Sequence, residues 1–127
     1  MLQSRKNYKD LRIWQLSEEI FEMICEDIKK WPKNIIVNAI TYQLIESGGS
    51  MGSNLAEGYG RGGPREFEQF TRIARGSMAE SDSWLYKAMR QNLITKERYE
   101  LYLEKFEHWK AMAASLIFKL RSQSKRK

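Results

Sequence analysis

Four glycines fall within six residues in the stretch Asn54-Leu55-Ala56-Glu57-Gly58-Tyr59-Gly60-Arg61-Gly62-Gly63-Pro64-Arg65-Glu66-Phe67. Each glycine costs about 1 kcal/mol in a helix interior relative to alanine, so a run of them stops a helix. One helix should therefore end near Gly58. The next should begin at Pro64, whose fixed φ and missing N–H suit a first helical position. Gly63 then stands at the N-cap, and Glu66 puts a carboxylate in the first turn, where the helix dipole favours it. Long apolar-periodic segments lie on both sides, so the chain must reverse direction here.

The other segments read as helices too. Asp10 can cap a first helix over about residues 11–31, with Trp14, Phe21, Ile24, Ile28 and Trp31 at three- and four-residue steps. Glu18, Glu19, Glu22, Asp27, Lys29 and Lys30 fill its other face, and Pro32 ends it. A second helix, about 35–58, carries Ile36, Ile40, Leu44, Met51 and Leu55 in helical register. Gly48, Gly49 and Gly52 interrupt it, at roughly 3 kcal/mol in propensity. A continuous but bent helix, with small residues admitting close neighbours, is the expectation; a non-helical step between Ser47 and Gly52 is the alternative. The third helix, about 64–91, has a seam of Phe67, Phe70, Ala74, Ser77 or Met78, Ser81, Trp84 or Leu85, and Ala88. Thr95 can cap a fourth, about 96–121, striped by Tyr99, Tyr102 or Leu103, Phe106, Trp109, Ala113, Leu116 or Ile117, and Leu120. Residues 122–127 read as a loose basic tail. Short connections make the whole chain, 1–127, one all-α domain: an up-down-up-down antiparallel four-helix bundle.

The run Asn54-Leu55-Ala56-Glu57-Gly58-Tyr59-Gly60-Arg61, followed by Glu66-Phe67 and by Arg72-Ile73-Ala74-Arg75-Gly76-Ser77, resembles the bacterial four-helix-bundle proteins encoded in intervening sequences of 23S rRNA genes. That family was once labelled S23 ribosomal protein. Tyr8-Lys9-Asp10-Leu11, Trp14-Gln15 and Trp31-Pro32 extend the resemblance over nearly the whole chain. Gly52, where such proteins usually carry proline, and Trp84, where a polar residue is common, depart from it. The resemblance implies the same bundle, assembly as a homopentamer, and by analogy with relatives an accessory role beside a reverse transcriptase. It also marks Asn54, Glu57, Arg72, Arg75 and Glu80 as one polar set. Glu57 lies near a helix C-terminus, where an anion is disfavoured, so it needs a cation such as Arg61 or Arg75. The set is expected to form a buried or half-buried network fixing the register of the second and third helices; a polar pocket for a ligand and a contact surface for a partner are the alternatives.

Catalysis finds no support in the residue pattern. Cys25 and His108 are the only cysteine and histidine, which excludes a disulfide framework and the usual zinc donor sets. Ser77 follows Gly76 without a Gly-x-Ser-x-Gly elbow, and Gly60-x-Gly62-Gly63 lacks the strand and the lysine of a phosphate loop. Glu-x-x-His, the mark of di-iron bundles, is absent. The expectation is a protein with no enzymatic activity, metal or cofactor. Met1–Lys6 has no apolar segment of a signal peptide and no membrane-length apolar run exists, so a cytoplasmic location is expected.

A net charge of +6 makes a polyanionic partner the natural candidate. Arg5, Lys6, Lys9 and Arg12 open the chain, and Arg61 and Arg65 flank the central turn. Lys119, Arg121, Lys125, Arg126 and Lys127 close it without an acidic residue among them. In an up-down bundle both termini and the second connection share one pole, so these clusters should merge into a surface for the RNA or DNA backbone, with weak dependence on base sequence. The alternative is an adaptor that binds a protein, with the basic pole incidental. Five phenylalanines, six tyrosines and four tryptophans exceed what a thin bundle can bury, which predicts a homo-oligomer.

Overall fold

A computed structural model of the chain describes residues 7–125. A short 3-10 turn (Tyr8–Asp10) precedes four helices: α1 (Arg12–Ile28), α2 (Ile35–Gly60), α3 (Pro64–Arg90) and α4 (Lys96–Lys125). Each helix packs on its sequence neighbours and α4 closes back on α1, while the diagonal pairs make no close backbone approach. The result is the expected antiparallel bundle, with no strand among the described residues.

The helix ends follow from local chemistry, with four corrections. Asp10 does not cap α1. It closes a capping box with Asn7 around the 3-10 turn, and Leu11 stands at the α1 N-cap with no side-chain bond. α1 stops at Ile28 rather than at residue 31, and α2 runs to Gly60, past Gly58. α4 continues through Ser122–Lys125, so the expected loose tail is helical that far. The caps at Asn34, which accepts from the Val37 N–H (2.9 Å), and at Thr95, which accepts from the Arg98 N–H (3.0 Å), anchor α2 and α4. α3 starts at Pro64 behind an extended Gly63. It ends in a Schellman turn, with Asn92 at φ 62 and the Leu93 N–H donating to the Ala88 carbonyl (2.9 Å).

α2 is unbroken through its glycines, because their missing side chains are what let its neighbours in. A Cβ on Gly48 would stand 2.9 Å from Ile24 Cδ1, and one on Gly58 only 2.7 Å from Phe70 Cβ. α2 and α3 form the tightest seam, pinned by the Ser81 hydroxyl donating to Ser47 Oγ (2.9 Å). These approaches also rotate α1. Its core face is Ile13, Ser17, Ile20, Ile24 and Asp27, while Trp14, Phe21 and Ile28 are half-buried on the flank. Trp14 lies against Gly52, and Phe21 against Gly48 and Gly49. Similar shifts put Val37 in the core in place of the exposed Ile36, and Thr71 in place of the half-buried Phe67 and Phe70. On α4, Tyr102, Phe106, Trp109, Ala113, Ile117 and Leu120 are buried, whereas Tyr99 and Leu116 are half-buried.

The glycines give a sign test. Gly76 meets nothing within 4 Å, so Gly76→Ala should stabilise the protein by about 1 kcal/mol through helix propensity. Gly58→Ala gains the same propensity but must push Phe70 and the Phe67 backbone away, for a net loss of about 1–2 kcal/mol. Urea midpoints of the two variants should move in opposite directions.

Candidate functional site

The start of α1, the end of α2, the start of α3 and the end of α4 meet at one pole. There a cleft of about 490 Å³ brings together Leu11, the Gly62–Pro64 turn, Phe67, Leu116, Lys119 and Gln123. Gly62 adopts φ 85, a left-handed conformation suited to glycine, and this turns the chain sharply enough to bring Pro64 to the cleft that α4 lines from the other side. Tyr59, from the last turn of α2, meets Phe67 edge-to-face with centroids 5.9 Å apart. Arg65 lies on the far side of the turn, sharing a recess with Ser124 of α4.

The expected cations divide into two kinds. Arg61 donates to Glu57 (2.7 Å) and lies over the Phe70 ring, and Arg121 donates to Glu68 (3.3 Å). Lys9, Arg12, Arg65, Lys119 and Lys125 are exposed, with no carboxylate within ion-pair reach among the described residues. Arg12 lines a different groove, between α1 and α4, beside Glu19, Glu104 and the exposed His108. Arg5, Lys6, Arg126 and Lys127 lie outside the described residues.

The polar set does not form one network among the described residues. The Asn54 amide donates to the Ser50 carbonyl of its own helix (2.8 Å). Glu57 takes Arg61 on the surface, and Arg72 takes Glu68 through Nε (3.0 Å) and Nη2 (2.9 Å). The Arg72 hydrogen bonds hold the Glu68 carboxyl below its ordinary pKa. Arg75 and Glu80 are exposed and form no ion pair among the described residues. The reason is rotational: α3 turns Thr71, Ala74, Met78 and Ser81 inward, which leaves positions 75 and 80 outside.

The buried ion pair sits at the other pole. Asp27, only 7% exposed, accepts from Arg98 Nε (3.0 Å) and from the Tyr102 hydroxyl (2.6 Å). Burial, and then the hydrogen bond to Asp27, push the Tyr102 hydroxyl pKa far up; the same carboxylate raises that of Arg98. The charge pattern of α1 alone assigns Asp27 to the solvated face. Its spacing of three from Ile24 and seven from Ile20 was the available signal. Around it Glu19, Glu22 and Glu26 line a groove of about 640 Å³ between α1 and α4, so the molecule is cationic at one end and has an acidic groove towards the other. Among the described residues no cluster of three His, Cys, Asp or Glu side chains is placed to hold a metal ion, and no helix is long and apolar enough to cross a membrane.

Residues 9–115 match the family model of the 23S rRNA-intervening sequence protein. The match includes Arg61 and Arg65 and stops short of Lys119. The fold is similar to the crystal structure of a protein of unknown function from the S23 ribosomal protein family of Bacteroides thetaiotaomicron VPI-5482, with a TM-score of 0.72 and 23% identity over 83% of this chain and 97% of that one. No curated protein matches the chain.

Proposed function

The chain belongs to the 23S rRNA-intervening sequence protein family, and from that premise we propose that it is a non-enzymatic, cytoplasmic, oligomeric bundle whose cationic pole binds the phosphate backbone of RNA or DNA. One observation carries this reading. Arg65, Lys119 and Lys125 are exposed and form no ion pair among the described residues; of the neighbouring carboxylates, Glu57 and Glu68 are held by arginines of their own, and Glu66 shares the recess of Arg65. A phosphate approaching the pole meets cations whose charge is not spent internally. Backbone contact of this kind is weakly sequence-dependent and strongly salt-dependent. The test is binding of a generic RNA between about 50 and 200 mM salt, where affinity should fall steeply. No binding at low salt removes this reading and leaves the adaptor.

The adaptor reading, in which the partner is a protein such as a reverse transcriptase, draws on a different observation. Ile35 (86% exposed), Phe118 (75%) and Tyr42 (64%) stand in solvent on a single chain. A second copy of this chain covers such residues as well as a foreign partner does, which supports self-association; a five-fold count comes from the family resemblance. Sedimentation equilibrium at micromolar concentration should find a species several times 15.0 kDa, and a clean monomer would refute assembly.

A further inference from the structure

The cleft at the cationic pole is lined mainly by apolar groups, with Lys119 at its edge and Arg65 in the adjoining recess. Leu11, Leu116 and Phe67 line it with Tyr59, and Lys119 and Gln123 supply its polar edge. Duplex phosphates have no use for such a cleft, because in a duplex the faces of the bases are covered by their neighbours. An unpaired nucleotide has both chemistries at once: a flat apolar base, and a phosphate on either side. We propose that this cleft receives an unpaired nucleobase, so that the pole binds single-stranded RNA or DNA in preference to duplex.

The proposal rests on the phosphate-binding reading above and adds to it the state of the strand. Aromatic side chains beside a basic track are the general means of holding single strands without reading sequence, because every base offers a π-face. Here Tyr59 and Phe67 provide the aromatic surface, braced edge-to-face against each other at 86°. Gly62 leaves its side of the mouth open, since a Cβ there would meet nothing within 4 Å, whereas the Glu66 carboxylate folds over Gly63, with Oε1 2.5 Å from where a Cβ would stand. Lys119 on one side of the turn and Arg65 on the other are placed for the two flanking phosphates. The volume falls in the range of about 300–1,000 Å³ that holds small ligands. Charge complementarity selects a nucleotide over an apolar peptide segment, which would bury its side chains in the cleft and leave these cations unanswered.

The experiment compares three probes carrying the same number of phosphates at low salt: oligouridine, an RNA duplex, and a strand without bases. The parent should bind oligouridine on the order of tenfold more tightly than either of the others. Tyr59→Leu keeps apolar bulk but removes the ring, and should erase that preference while duplex binding stays at the parental level. Equal binding of all three probes by the parent overturns the base slot and leaves the phosphate reading standing. Binding of none overturns both and leaves the adaptor reading. A parental preference for oligouridine that survives Tyr59→Leu also overturns the slot. The base-free probe needs no variant, so the proposal stays testable if Tyr59→Leu does not fold.

Discussion

Trp109→Ala should cost about 3–5 kcal/mol of stability, the largest loss expected from one side-chain truncation in this chain. The Trp109 ring is fully buried, and its Nε1–H donates to the Ser17 hydroxyl (2.7 Å), which itself donates to the Ile13 carbonyl (2.8 Å). That chain of bonds ties α4 to α1 across the least closely packed seam of the bundle. Alanine removes both the tie and the indole volume, and four rigid helices cannot collapse far enough to fill the gap. A domain of this size has about 5–15 kcal/mol in total, so the variant should unfold at a much lower urea concentration. Trp109→Phe keeps most of the packing and gives up chiefly the hydrogen bond, for about 1 kcal/mol from that bond. Phe118→Ala, at a position 75% exposed, should change monomer stability by less than about 0.5 kcal/mol. Urea unfolding followed by circular dichroism measures all three; a Trp109→Ala loss under about 1 kcal/mol would show that the ring is not a core element.

Helix number, order and direction were legible because they depend on period and punctuation. Pro64, Gly63, Thr95 and Pro32 act locally, and nothing elsewhere in the chain overrides them. The phase of each helix was less legible. A helix in a square bundle faces two neighbours at once, so its apolar surface is broad, and α1 offers both Ile13-Ile20-Ile24 and Trp14-Phe21-Ile28 as stripes. The choice between them is made by the glycines of α2, on a different helix, which open pockets for Trp14 and Phe21 on the flank. Asp27 was misread for the same reason, since its partners Arg98 and Tyr102 lie more than seventy residues away. The α4 end was missed because apolar periodicity stops at Leu120, whereas helix propensity does not: Ser122–Lys125 contains neither glycine nor proline. The polar set was grouped by a shared motif, but Arg72 and Arg75 are three residues apart and only Arg72 is aimed at Glu68. The shared pole followed from topology alone. Which of its cations already have partners required side-chain geometry.

Replacing Arg65, Lys119 and Lys125 together by Gln should weaken RNA binding by at least on the order of tenfold at low salt. All three are exposed and outside the internal ion pairs, so helicity, unfolding and assembly should match the parent. Arg121→Gln should behave differently, because Arg121 is engaged with Glu68 and its loss leaves that carboxylate to Arg72. Each phosphate contact contributes about 0.7–0.9 to the slope of log affinity against log salt. The salt slope of generic RNA binding, measured for the parent beside the triple variant, therefore counts the contacts made by this pole. The parent should show a steep slope, and the variant a slope shallower by about two to three units. A variant slope equal to the parent's, or a parent that does not bind at low salt, would contradict phosphate recognition by this pole.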